Sequence, residues 1–186
     1  SASALNYSPP CAIFNNKITD WTVTKTIPKF DPSLGVLDRV TVNASACSSQ
    51  WFRIDNEASL GQDCSLTTTA DISTSLPAGK SLDFNFNLFT DLKFNLPADE
   101  GEESVPYTGP DFFGKYNKVC GEKKVEFTDK DDLNYWKGSG NVSFTANADI
   151  SSDFSGNDNF DQSTRSFASE NICVTYEYHL SSMSIS

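Results

Sequence analysis

The sequence has a single histidine, a single methionine and no C-x-x-C pair. One imidazole, at His179, cannot build a His-rich metal centre, and it leaves little room for Ser/His or Cys/His catalysis. Zinc and iron–sulfur chemistry are not expected from five scattered cysteines. No run approaches the roughly 18 apolar residues of a membrane span. Positive charge is also scarce: 14 basic against 25 acidic side chains give a net charge of −11. Neither nucleic acid nor an anionic membrane is an expected partner of such a chain.

Small polar and aromatic residues fill the space. Ser, Thr and Asn occupy 55 of 186 positions, and 14 Phe, 6 Tyr and 3 Trp bring the aromatic share to 12%. Aromatics at this density argue for a packed core, and the polar remainder favours strands and turns over helices. Hydrophobic alternation has a period of two. It is visible over 21–27, 37–44, 51–54 and 66–75. It is strict over 81–88, where Leu82, Phe84, Phe86 and Leu88 share a face. It recurs over 141–150 and 172–178. Pro and Gly punctuate the gaps, as in Asp31-Pro-Ser-Leu-Gly35, Pro77-Ala-Gly79 and Gly138-Ser-Gly140. The one helical segment expected is 129–137, capped by Thr128 or Asp129. This pattern predicts an all-β domain, an antiparallel two-sheet β-sandwich of jelly-roll or Ig-like type over residues 18–186, preceded by an N-terminal extension over 1–17.

The start, Ser-Ala-Ser-Ala, is what a mature chain whose leader has been removed would show, and equally what a chain trimmed at its start would show; the first of these, with the sequons, makes an extracellular location the expectation. Three sequons, at Asn6, Asn43 and Asn141, suit a secretory compartment. The cysteines are expected to pair as Cys47–Cys64, closing a local hairpin, and Cys120–Cys173, tying late strands together. That pairing leaves Cys11 bonded to another molecule, or free, or a buried thiol. The extension, broken at Pro9-Pro10 and carrying Ile13 and Phe14 beside Cys11, could lie along the sheet edge of a neighbouring subunit; terminal disorder is the alternative.

Charge divides unevenly. Residues 1–50 carry +1 and the rest −12. This would suit head-to-tail association, or simply a solvated acidic surface. The loop 153–161 offers Asp153, Asn157, Asp158 and Asp161 as calcium ligands around Gly156, without EF-hand spacing; the alternative is an Asx-rich hairpin loop. Apart from calcium no cofactor is expected. The cluster 99–103 reads as a solvated loop. No carboxylate pair, Asp111 and Glu170 included, sits in a catalytic context, so no enzyme activity is expected. Trp51, Trp136 and Tyr107 are candidate platforms for a glycan, whereas Trp21, in phase with Val23 and Ile27, belongs to the core.

Several segments resemble one family in order and spacing. Phe30-Asp-Pro-Ser-Leu-Gly-Val-Leu37 leading into Val40-Thr-Val42 is similar to an F-D-x-x-L-G-x-L-x-x-V-x-V opening. Pro106-Tyr-Thr-Gly-Pro-Asp-Phe-Phe-Gly114, Leu133-Asn-Tyr-Trp-Lys-Gly-Ser-Gly-Asn-Val142 and Val174-Thr-Tyr-Glu-Tyr178 match three further stretches. Together they resemble the bacterial and archaeal "choice-of-anchor E" domains over roughly residues 20–178. The resemblance implies a secreted β-rich domain displayed on cell surfaces, with no known catalytic activity. Five cysteines and the lack of a sorting tail depart from the family pattern. The expected function is therefore a structural or adhesive surface protein that self-associates into a filament or layer through strand-edge pairing. The alternative is a monomeric carbohydrate- or calcium-dependent binding module.

Overall fold

The computed structural model describes residues 3–99, 101, 107–156 and 159–181. Among the described residues nine strands carry the fold: β1 (Leu5–Tyr7), β2 (Ala12–Ile18), β3 (Trp21–Pro28), β4 (Val36–Asn56), β5 (Gln62–Ser75), β6 (Ser81–Leu96), β7 (Phe112–Phe127), β8 (Asn141–Ser155) and β9 (Phe160–His179). They form two antiparallel sheets. The first runs β1-β9-β4-β7, with β2 also on the outer side of β9; the second runs β3-β8-β5-β6. The pairings nest along the chain, with β1 and β2 on β9, β3 on β8, β4 on β7 and β5 on β6. A long hairpin rolled so that its pairs fall alternately in two layers is a jelly roll.

Period-two burial explains why these residues make strands. Even positions of β4 from Val40 to Asn56 point between the sheets, as do Leu82, Phe84, Phe86 and Leu88 of β6 and Val142, Phe144, Ala146 and Ala148 of β8. A register shift between Leu37 and Arg39 brings Leu37 onto the same buried face as Val40. Each end is closed by aromatic packing: Phe30, Phe127, Trp136, Phe144 and Tyr176 at one, Phe52, Phe94, Phe113, Phe154 and Phe160 at the other. Small side chains line the waist, with Ala44, Ala46, Ala70, Ala146, Ala148 and Ala168 all buried. Polar groups cross the waist. Thr68 Oγ1 donates to Gln50 Oε1 at 2.9 Å, and Gln50 Nε2 donates to the hydroxyls of Ser152 and Ser166, each at 3.0 Å. Nearby, the Thr74 hydroxyl donates to the buried Glu170 carboxylate.

The helical segment is one short turn, α1 (Lys130–Leu133), continued by a 3-10 turn to Trp136. Asp129 caps it, accepting from the backbone N–H groups of Asp131 and Asp132.

Three expectations are corrected. The residues 1–17 are not a detached extension: β1 and β2 pair with β9 of their own chain, and Phe14 is 2% exposed and stacks on Trp21. Cys11 is bonded to Cys173 and Cys47 to Cys120, leaving Cys64 free and buried. The sheet arrangement forbids the expected pairing. Cys47 faces out from the first sheet while Cys64 faces inward from the second; β4 lies between β7 and β9, with Cys120 opposite Cys47 and Cys173 opposite Asn43, so Cys120 and Cys173 are two strand spacings across and four residues along, roughly 16 Å apart.

Candidate functional site

A sandwich exposes four edges, and here they differ in chemistry. On one flank, β3 covers β8 only over 141–148, and β1 and β2 cover β9 only from residue 167 onward. Among the described residues no strand pairs with the outer side of 149–155 of β8 or 160–165 of β9. Two backbone groups at the margin are bonded: Thr19 N–H donates to Ser166 O, and Ile150 N–H donates to Asp20 Oδ1. Half of this flank is thus open on both sheets, over six to seven residues, about 20 Å. Half-buried Ile150, Phe154 and Phe160 lie along it, and Asp149, Asp153 and Asp161 make it acidic.

The opposite flank joins the edges of β6 and β7. Its groove, about 660 Å³, is lined by Phe84, Phe86, Gly121 and Lys123. The outer edge of β7 carries Lys115, Lys118, Lys123 and Lys124, all exposed. Lys123 Nζ bonds Asp83 O, and Asn117 Nδ2 donates to Leu88 O at 2.7 Å, so β7 side chains cap part of the β6 backbone. The strand thus carries four of the 14 basic residues, as many as residues 1–50, alongside exposed Glu122 and Glu126, of which Glu126 is ion-paired with Lys124 at 2.9 Å.

The outer face of the first sheet carries a third feature. At the end of β4, Asp55 lies opposite Asp161 of β9 and Phe112 of β7. The segment 107–111 folds over it: Tyr107 N–H donates to Asp55 Oδ2 at 3.0 Å, and Asn56 N–H donates to Asp111 O at 3.1 Å. Asp55 is 4% and Asp111 1% exposed, and the Oδ1 atom of each is buried without a hydrogen-bond partner. Burial raises the Asp55 carboxyl above the usual range, with the charges of Asp111, Asp161 and Asp99 adding to the effect. Glu57 is raised for the same reasons, by burial first and then by Asp161 and Asp99.

The structure separates residues that the sequence placed together. Asp153 points outward from the second sheet and Asp161 outward from the first, so the two do not share one loop site; Asn157 and Asp158 lie outside the described residues. Of the acidic cluster 99–103, only Asp99 and Gly101 are described. Among the inter-subunit candidates, Ile13 is exposed, whereas Phe14 is core and Cys11 is bonded internally. All three sequon asparagines are exposed. Trp136 is fully buried, which removes it as a glycan platform, and Trp21 is buried as its phase requires. Trp51 is 52% exposed and packs on its cross-strand partner Tyr116, ring centroids 4.7 Å apart. Tyr107 is half-buried beneath the Arg53 guanidinium, 4.8 Å from its ring centre. Sequence reasoning missed the burial of Asp55, whose only signal was an acidic residue at an otherwise apolar strand end, Phe52-Arg-Ile-Asp55.

No family model matches the sequence, and no curated protein matches it. Similar solved structures include that of the infectious bursal disease virus Gx strain, with 8% identity and a TM-score of 0.24, covering 98% of this chain and 39% of that one. Another is the VP2 subviral particle of infectious bursal disease virus, with 7% identity and a TM-score of 0.22, covering 97% and 38%. The chain therefore spans about two-fifths of the length of those chains. The jelly-roll assignment rests on the strand order itself.

Proposed function

We propose that this protein is a secreted structural component of a cell surface that self-associates into an extracellular filament or layer. The basic β7 edge of one copy meets the half-open, acidic β8/β9 flank of the next. The observation that carries this reading is the open flank: two adjacent strand edges left unpaired for about 20 Å beside half-buried Ile150, Phe154 and Phe160. Unpaired edges are templates for further strands. The opposite charge on the two edges gives the contact polarity, and an edge-to-opposite-edge contact need not close into a ring. Two disulfides point to an oxidising compartment, and exposed Asn6, Asn43 and Asn141 are available for sugars there. Surface display is also what the choice-of-anchor E resemblance implies.

Light scattering and negative-stain microscopy test the proposal, using the wild type and the double variant Lys115→Glu, Lys118→Glu. Both side chains are exposed, so the variant should fold. The expected result is polymer for the wild type, shortened by high salt, and a 20.4 kDa monomer for the variant with unchanged circular dichroism. Wild-type protein that stays monomeric when concentrated, or variant polymers of undiminished length, overturn the reading.

A second reading rests on the exposed Trp51–Tyr116 pair, which offers a sugar ring an aromatic platform on the outer face of the first sheet. Tryptophan fluorescence during titration with surface oligosaccharides, compared with Trp51→Ala, tests it. No fluorescence change at millimolar sugar rejects it.

A further inference from the structure

We infer that the Trp51–Tyr116 pair on the outer face of the first sheet binds a sugar that carries a carboxylate, with Arg165 and Arg53 as the partners of that anion. The inference rests on the second reading above, the aromatic platform, and names the class of glycan it takes; the edge-to-edge assembly does not enter it. Trp51 is 52% and Tyr116 43% exposed, and their ring centroids lie 4.7 Å apart. An indole held by a neighbouring ring is a flat apolar surface already in place, so little ordering remains to be done on binding.

The register surrounds this platform with positive charge. Trp51 lies between Tyr116 of β7 and Arg165 of β9, its direct cross-strand partners, so all three side chains leave the same face, with neighbouring Cβ atoms about 5 Å apart. Arg53, two residues along β4, and Lys118, two along β7, share that face, and all three cations are exposed. The Arg53 guanidinium is held 4.8 Å from the Tyr107 ring centre and donates to Ser163 Oγ at 3.4 Å. Acidic side chains outnumber basic ones 25 to 14, yet among the described residues none of these three cations forms an ion pair; the pairs use Lys80, Lys93, Lys124 and His179. On β9 the nearest carboxylate of this face, Asp161, is four residues from Arg165, about 13 Å along the strand. Two of the chain's three arginines are thus placed beside its exposed tryptophan and left without an anion. A guanidinium matches a carboxylate with two parallel hydrogen bonds, and a ring stacked on Trp51 turns its rim toward Arg165 one strand away. The net charge of −11 opposes a long polyanion, so the unit recognised is a single acidic residue.

The test titrates the full chain with two matched pairs of sugars, sialyllactose against lactose and digalacturonate against its methyl ester, and follows tryptophan fluorescence. Trp21 and Trp136 are buried, so Trp51 reports the contact. Each acidic sugar should bind at least about fivefold more tightly than its uncharged partner, with the difference shrinking in about 0.5 M salt. Arg53→Gln with Arg165→Gln should erase that difference and leave the uncharged sugars bound as before, with unchanged circular dichroism. Trp51→Ala, followed by calorimetry, should lose both kinds of sugar. Equal affinity for charged and uncharged sugars overturns this inference and leaves the platform reading standing; no binding of any sugar at about 10 mM overturns both. A difference that survives the double arginine variant overturns the site, and if that variant does not fold, Arg165→Gln alone decides. Polymers of the wild type that are lost in Trp51→Ala without sugar assign the patch to a second copy of the chain and overturn the inference.

Discussion

Glu170 should make the protein less stable as the pH rises from 4.5 to about 7, and Glu170→Gln should remove that dependence. The carboxylate sits on β9 facing the second sheet, 1% exposed, with the Thr74 hydroxyl on one oxygen and nothing on the other. Burial disfavours its charged form and pushes its pKa from 4.5 up to about 7, a shift that the Thr74 bond only partly opposes. In the unfolded chain the same group ionises near 4.5. Below that pH both states hold the proton, and Glu170 costs nothing through ionisation. Between 4.5 and about 7 the unfolded state gives up its proton while the folded state keeps it, so stability falls; above about 7 the loss is complete. A shift of this size corresponds to about 3 kcal/mol, or roughly 6–12 °C in Tm for a chain of this length. Other carboxylates titrate over the same range, and the hydrogen-bonded Asp31 and Asp83 are shifted the opposite way. The quantity to measure is therefore the difference in Tm between Glu170→Gln and wild type, at steps from pH 4 to 8.5. The buried amide adds a constant offset, whereas the Glu170 term makes the difference climb in favour of the variant, with its midpoint between 4.5 and about 7. Two parallel profiles would refute the reasoning.

Three further outcomes follow from the packing. Native protein should resist iodoacetamide, because the Cys64 thiol is buried and burial pushes its pKa up; denaturation without reductant should expose one thiol per chain, counted by mass spectrometry. Replacing Cys47 and Cys120 together by Ser should cost about 2–4 kcal/mol in urea unfolding, since their cross-link spans 73 residues of the unfolded chain. Trp136→Ala should cost about 3–5 kcal/mol, because the indole is fully buried among Phe127, Phe144 and Tyr176, while Trp51→Ala at the surface should change stability by only about 0.5 kcal/mol.

Strands were legible wherever one face is buried against the other sheet. The stretches 81–88 and 141–150 alternate cleanly because every second side chain meets the core, and 21–27 does so except at the exposed Lys25. β7 was not legible: it runs along an edge, most of its side chains are exposed, and Phe-Phe-Gly-Lys-Tyr-Asn-Lys imposes no period. The first half of β9 was hidden for a related reason. Its inward positions Ser166, Ala168 and Glu170 are small or polar because they line the narrow waist and its hydrogen-bond network, so the alternation carries no hydropathy signal there. The strands expected over 37–44 and 51–54 proved to be one, β4, because Ser48 and Gln50 between them are buried polar residues of that network.

Alternation reports which face a residue occupies and says nothing of which strand lies beside it. Neither Cys47 nor Cys120 falls in a strand visible in the sequence, and only the order β9-β4-β7 makes them neighbours. Asp153 and Asp161 are eight residues apart in the chain, yet the crossover from β8 to β9 sends them to opposite outer faces. Asp55 and Tyr107 are distant in sequence, and the backbone N–H of Tyr107 reaches the carboxylate of Asp55 because the segment before β7 folds back over the end of β4. In a nested fold the ends of the chain lie side by side and the middle is turned back on itself. Sites built between strands are therefore set by topology, whereas the core is set by local pattern.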